Sequence, residues 1–214
     1  DHPTDNGAET HGIAVVNGRA DSGSSEISYN YLYGVRSGIA LLASDTEMTQ
    51  GDLVISHNTI DGRIGMHKTH ADDTVYINSG IDFWSSNGLP FITENISVLD
   101  NIVYGCQWYG MYNGESQTGG FDGELLVRRN LFWGNYAYWW PNYRYPNEWF
   151  DDEVRPQAGW ITAGEEPLFV ENMTEEPVFF EEGTTPHGFY SLREDSPALL
   201  AATDGTNIGA WQRP

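Results

Sequence analysis

Between residues 10 and 140, apolar and polar positions alternate in short runs, and four of these runs share one spelling. Each has an apolar residue, two spacers, Asn, any residue, an apolar residue, any residue and Gly. The copies are Ile27–Gly34, Ile55–Gly62, Val98–Gly105 and Val127–Gly134. Alternation with a period of two belongs to strands, so each copy predicts a strand, a turn at the Asn and a second strand. Asn30, Asn58, Asn101 and Asn130 are separated by 28, 43 and 29 residues. A near-constant period with one insertion of about 15 residues is the signature of a stacked repeat.

A second signature, Gly followed by Ile or Met, comes seven to nine residues after the first three Asn, at Gly38-Ile39, Gly65-Met66 and Gly110-Met111. Gly12-Ile13 supplies an earlier half-coil. One coil cannot bury its apolar face, whereas coils stacked at about 4.8 Å bury a continuous interior and pair their backbone groups. An Asn at the same turn of each coil can bond to the Asn above and below, which gives the four Asn a structural role.

These repeats resemble the right-handed parallel β-helix proteins of the pectin-lyase-like superfamily. The ordered tail, Glu166-Pro167-Leu168-Phe169-Val170, Phe189-Tyr190-Ser191-Leu192, Ser196-Pro197-Ala198 and Ile208-Gly209-Ala210-Trp211, strengthens the resemblance. It implies an all-β, right-handed parallel β-helix with coils of about 28 residues, an inserted loop region and an irregular C-terminal tail. The expected organisation is one domain over 1–214, with coils about 10–140, an aromatic-rich loop 133–160 and a capping tail 161–214. Residues 1–10 carry no amphipathic helix to protect an open sheet edge, so the chain is expected to belong to a longer protein or to be covered there by a further chain or domain.

Composition narrows the partners. No run of 18 apolar residues is present, so no membrane span is expected. The net charge is −21, with Lys68 the single lysine. A phosphate backbone needs a basic footprint, so nucleic acid is not an expected partner. A polyuronate would be repelled unless cations or a local basic patch overcome that field. Cys106 has no second cysteine to pair with and reads as a buried thiol.

Reading equal offsets in successive coils as columns gives two sets of candidate neighbours. The residue before each Asn gives Tyr29, His57, Asp100 and Arg129, expected to point outward as an ion-pair ladder or a polar site. The residue after each Gly-apolar pair gives Ala14, Ala40, His67 and Tyr112, a groove floor with a polar centre. The densest polar cluster is Arg63 to Asp73, including His67, Lys68, His70, Asp72 and Asp73. On a strand His67 and His70 face opposite ways, so shared metal ligation by them would need a turn.

β-Elimination of a uronic acid needs a base for the C5 proton, a group that neutralises the carboxylate and an acid for the leaving oxygen. His67 or Lys68 as base, Arg63 or Ca²⁺ at the carboxylate and Tyr112 as acid meet those needs, with Asp72 and Asp73 as candidate Ca²⁺ ligands. A glycosidase would instead use two carboxylates, and Asp61, Asp72, Asp73, Asp82 and Asp100 are all available. Aromatic faces suit pyranose rings. Trp133, Tyr138, Trp139 and Trp140, extended by Trp84, Trp108 and Tyr109, form the candidate platform, or else a lid over apolar surface. Asn95-Ile96-Ser97 and Asn172-Met173-Thr174 match the glycosylation acceptor pattern and are read as chance.

The expected function is that of a secreted or cell-surface carbohydrate-active protein acting on a polysaccharide or oligosaccharide, a polysaccharide lyase first. A non-catalytic glycan-binding or adhesion module and a glycoside hydrolase on a neutral glycan are the alternatives.

Overall fold

The computed structural model describes residues 11–16, 24–35, 37–43, 48–50, 52–63, 79–85, 91–93, 95–106, 110–113, 124–135, 168–180 and 185–210. Its strands are β1 (His11–Val16), β2 (Ser25–Ser28), β3 (Tyr31–Tyr33), β4 (Ser37–Ala43), β5 (Met48–Gln50), β6 (Leu53–Ser56), β7 (Thr59–Asp61), β8 (Ser79–Ser85), β9 (Phe91–Thr93), β10 (Asn95–Leu99), β11 (Ile102–Tyr104), β12 (Met111–Asn113), β13 (Glu124–Arg128), β14 (Leu131–Trp133) and β15 (Leu168–Val170). One short helix, α1 (Pro186–Phe189), follows, so among the described residues the protein is all-β with almost no helix. Among the described residues no helix is long and apolar enough to cross a membrane.

The strands form three larger sheets and one parallel pair, β5 with β9. Sheet A has the order β1-β4-β8-β12, sheet B β15-β13-β10-β6-β2 and sheet C β14-β11-β7-β3. Every pairing between these strands is parallel. From β2 to β12 the chain visits B, then C, then A three times over, and β13 and β14 then add a further strand to B and to C.

Register follows the repeat. Ile27, Ile55, Val98 and Val127 are mutual partners across sheet B, and Leu32, Ile60, Val103 and Phe132 across sheet C. Ile13, Ile39, Ile81 and Met111 align across sheet A. The inward residues of the three sheets meet in one core that includes Ile39, Ile55, Ile81, Phe83, Val98, Val103, Cys106 and Phe132. Burying each of the larger ones is worth roughly 1.5–3 kcal/mol relative to exposure. A Cβ on Gly80 would lie 2.3 Å from Val103 Cγ1 and 2.4 Å from the Gly110 carbonyl oxygen, so the Gly-apolar pair lets successive circuits close.

The Asn ladder is present and has five rungs. The Nδ2 atoms of Asn30, Asn58, Asn101 and Asn130 each donate to Oδ1 of the next Asn, at 2.9, 2.9, 2.8 and 3.0 Å, ending on Asn172. The backbone N–H of each donor residue reaches the same oxygen. Asn172, which as sequence matched a glycosylation acceptor, is a half-buried rung, and β15 just before it adds a fifth strand to sheet B. The segment expected as a tail therefore extends the stack before it leaves it.

Two column assignments change. Sheet A aligns Ala14, Ala40, Asp82 and Tyr112, so Asp82 occupies the place expected for His67. The Gly-apolar pair that joins the sheet is Gly80-Ile81, whereas Gly65-Met66 lies outside the described residues. Likewise Tyr29, His57, Asp100 and Arg129 do not sit on a pleat. Their φ angles of 57°, 51°, 56° and 52° place them, with Glu171, in the left-handed region that makes the corner between sheets B and C.

Candidate functional site

Sheet C has a second, outward face, and the C-terminal segment packs on it. Ile102, Tyr104 and Leu131 from the sheet cluster with Phe179, Tyr190, Leu192, Ala198, Ala202 and Ile208. Thr185 caps α1 by accepting from Gly188 N–H, Pro186 begins it, and the chain leaves it at Tyr190. Tyr190 thereby lies over the sheet, stacked on Tyr31 at 5.6 Å and edge-on to Phe179 at 5.6 Å and to Phe189 at 5.0 Å.

Beneath Tyr190 one outward column of sheet C reads Tyr33, Asp61, Tyr104 and Trp133. Asp61 is 2% exposed and its carboxylate gathers five donors. Oδ1 accepts from Arg63 N at 2.9 Å and Arg63 Nε at 3.1 Å. Oδ2 accepts from Arg63 Nη2 at 3.1 Å, Tyr104 Oη at 2.7 Å and Tyr190 Oη at 3.0 Å. This is a buried charge met by an opposite charge and by hydrogen bonds, which burial demands.

The Arg63 guanidinium lies over the Tyr104 ring, 4.5 Å from its centroid, and Nη2 also donates to Tyr104 Oη at 2.6 Å. Its stem crosses Gly105, where a Cβ would come within 2.3 Å of Arg63 Cγ and where φ is +63°. Glycine is needed there for both space and backbone conformation. Burial, and then the adjacent Asp61 charge, push the Tyr104 and Tyr190 hydroxyls well above the ordinary tyrosine range, so both remain protonated donors.

Next to this network opens a cleft of about 640 Å³. One wall comes from the stack, with Arg63, Tyr104 and Trp133; the other comes from the C-terminal segment, with Glu176, Phe179 and Arg193. Its size is that of a small-ligand or oligosaccharide site. Both arginines at the cleft are paired with carboxylates, Arg63 with Asp61 at 3.1 Å and Arg193 with Asp195 at 3.0 Å, and Glu176 lines the cleft beside them.

The corner column is covered by the same segment. Tyr29 stacks flat on His57 at 4.9 Å, His57 Nδ1 lies 3.2 Å from the Asn207 carbonyl oxygen, and Asp100 accepts from Thr203 N at 2.9 Å and Thr203 Oγ1 at 3.1 Å. His57 and Asp100 are buried rather than outward; His57 Nε2 lies 3.9 Å from Asp204 Oδ2, and at the far end of the column Glu171 bonds Arg128 and Arg129. On sheet A, Asp82 is buried and accepts from Ser37 Oγ.

Of the residues singled out in the sequence, Arg63 and Trp133 come together at the cleft. Tyr112 and Trp84 lie on β12 and β8 of sheet A, with their side chains outside the described residues. His67, Lys68, Asp72, Asp73, Trp108, Tyr109, Tyr138, Trp139 and Trp140 also lie outside the described residues. Among the described residues no group of three or more His, Cys, Asp or Glu could hold a metal ion. Sequence reasoning missed Tyr104, Tyr190, Phe179 and Arg193 and left Asp61 as one aspartate among five. The residue before each repeat Gly gives Tyr33, Asp61, Tyr104 and Trp133, so that column was available to be read.

Comparison with protein-family models, curated proteins and solved structures finds no match to this chain.

Proposed function

We propose that the circuits form a right-handed parallel β-helix of the pectin-lyase-like kind and that the protein is a secreted or cell-surface carbohydrate-active protein that binds an acidic glycan in the cleft beside sheet C. The observation that carries this reading is that two guanidinium groups, Arg63 and Arg193, line one cleft together with the aromatic residues Trp133 and Tyr104. A guanidinium meets a carboxylate in its own plane, and an aromatic face accepts the apolar face of a sugar ring.

The reaction that fits such a ligand is β-elimination. Arg63 neutralises the uronate carboxylate, which acidifies the C5 proton; His67 or Lys68, four and five residues beyond Arg63, takes that proton. The C4–O bond then breaks as the C4–C5 double bond forms, and Tyr112 on the adjoining sheet protonates the leaving oxygen. Asp72 and Asp73 are the proposed ligands if Ca²⁺ takes part in holding the substrate.

A binding module without turnover is the second reading, and one observation favours it. Asp61 is committed to five donors, and the Tyr104 and Tyr190 hydroxyls are held protonated, so these groups suit anchoring better than proton abstraction.

The test is incubation of the protein with uronic-acid and neutral polysaccharides, with and without Ca²⁺, following both unsaturated-product absorbance and reducing ends. Absorbance that rises in wild type and is abolished in a His67→Ala, Lys68→Ala double variant supports the lyase. Reducing ends alone indicate hydrolysis. Saturable binding without turnover, weakened by Trp133→Ala, supports the module, and absence of binding to every glycan removes the proposal.

A further inference from the structure

We infer that the C-terminal segment is part of the ligand site: Tyr190, acting through Asp61, is a positioning residue that sets the Arg63 guanidinium in the cleft. This rests on the reading that the cleft receives an anionic glycan. Arg63 is held by a fork, with Nε and Nη2 on the two oxygens of one carboxylate. Such a fork fixes the plane of the guanidinium and hence the directions of all its N–H bonds.

The fork is as rigid as the carboxylate beneath it. Asp61 Oδ2 is itself pinned by Tyr104 from the neighbouring strand and by Tyr190 from 129 residues further along the chain. Tyr190 is 2% exposed and roofs the carboxylate. Removing its hydroxyl takes away one of the two neutral donors that orient Oδ2. Lifting the segment would also remove Glu176, Phe179 and Arg193, the far wall of the cleft. Docking of this segment and binding in the cleft are therefore linked: each favours the other by the same factor.

The experiment uses the full chain and three proteins: wild type, Tyr190→Phe and Asp61→Asn. Arg63 is probed by its rate of modification with phenylglyoxal, located by peptide mass mapping, with Arg128 on β13, which does not line the cleft, as internal reference. In parallel, the affinity for a galacturonan oligosaccharide is measured by calorimetry. Hydrogen bonds to charged groups are worth enough that Asp61→Asn should weaken binding roughly ten- to a hundredfold, and Tyr190→Phe should lie between it and wild type. In both variants Arg63 should label faster relative to Arg128.

Unchanged Arg63 labelling in Tyr190→Phe overturns the inference and leaves Tyr190 as an anchor of the segment only. Faster labelling with unchanged affinity overturns it too, because the ligand then does not use Arg63. Faster labelling in a protein whose wild type binds no oligosaccharide upholds the positioning and removes the glycan reading. If Asp61→Asn renders buried Cys106 open to alkylation, the fold has opened in that variant. Tyr190→Phe, which deletes one oxygen and keeps the ring, then decides alone.

Discussion

On the inner face of sheet C, Leu32, Ile60, Val103 and Phe132 follow one another from strand to strand; one residue further along, the outer face reads Tyr33, Asp61, Tyr104 and Trp133. The inner column repeats one kind of side chain, because stacked circuits present the same gap each time. The outer column mixes a carboxylate with aromatic residues, because what packs against it is the non-repeating C-terminal segment. Repetition suits a surface that must meet copies of itself. A surface that meets something unlike itself is free to differ at every strand, and there the chemistry has gathered.

The contrast can be broken most severely from the inside. In Asn101→Ala the buried backbone N–H of Asn58 loses its acceptor, as does the Asn58 side chain, and the carbonyls of Ile55 and Leu99 lose a donor. With buried unpaired groups costing about 1–3 kcal/mol each, a loss of roughly 3–5 kcal/mol is expected in urea unfolding. A loss below about 1 kcal/mol would show that the ladder does not hold the circuits together.

The outer face should yield to alkali. Burial and Asp61 raise the Tyr104 and Tyr190 hydroxyls in the folded protein. An acid whose folded pKa is raised supports the fold fully below its unfolded value, near 10 for tyrosine, and loses that support as pH rises beyond it. Melting temperature should therefore fall above about pH 10, and Tyr190→Phe should flatten the fall. An equally steep fall in that variant would place the alkaline weakness elsewhere.

The smallest loss is expected at the end of the repeat. Asn172 is a half-buried last rung, so Asn172→Ala should cost about 1 kcal/mol, well below Asn101→Ala. Equal losses would mean that the ladder does not weaken toward that end.

What could be read from the sequence follows the same division. The alternation around Asn30, Asn58, Asn101 and Asn130 yields strands, register and ladder, because each position is sampled four times. Asn172 escaped because Thr174 and Glu176 stand where the pattern has an apolar residue and Gly. Gly65-Met66 carries the same two-residue signature as Gly80-Ile81, and only strand pairing identifies Gly80-Ile81 as the pair on sheet A. The residues before each Asn were given a pleat because periodicity does not reveal a left-handed corner. Arg63 and Trp133 were found by their chemical type. Tyr190 was not, since no repeat links it to Asp61, and only the folded segment closes that distance.

The ladder also gives the stack an electrical direction. Each Asn donates from both N–H groups to the oxygen of the following Asn, never to the preceding one. Strand dipoles in a sheet leave only a small net field, but the side-chain amides of this ladder all point one way and add along the axis as peptide units add in a helix. The Asn30 end is the carbonyl, negative pole and the Asn172 end the N–H, positive pole. Two copies that met by their Asn30 ends would set oxygen against oxygen.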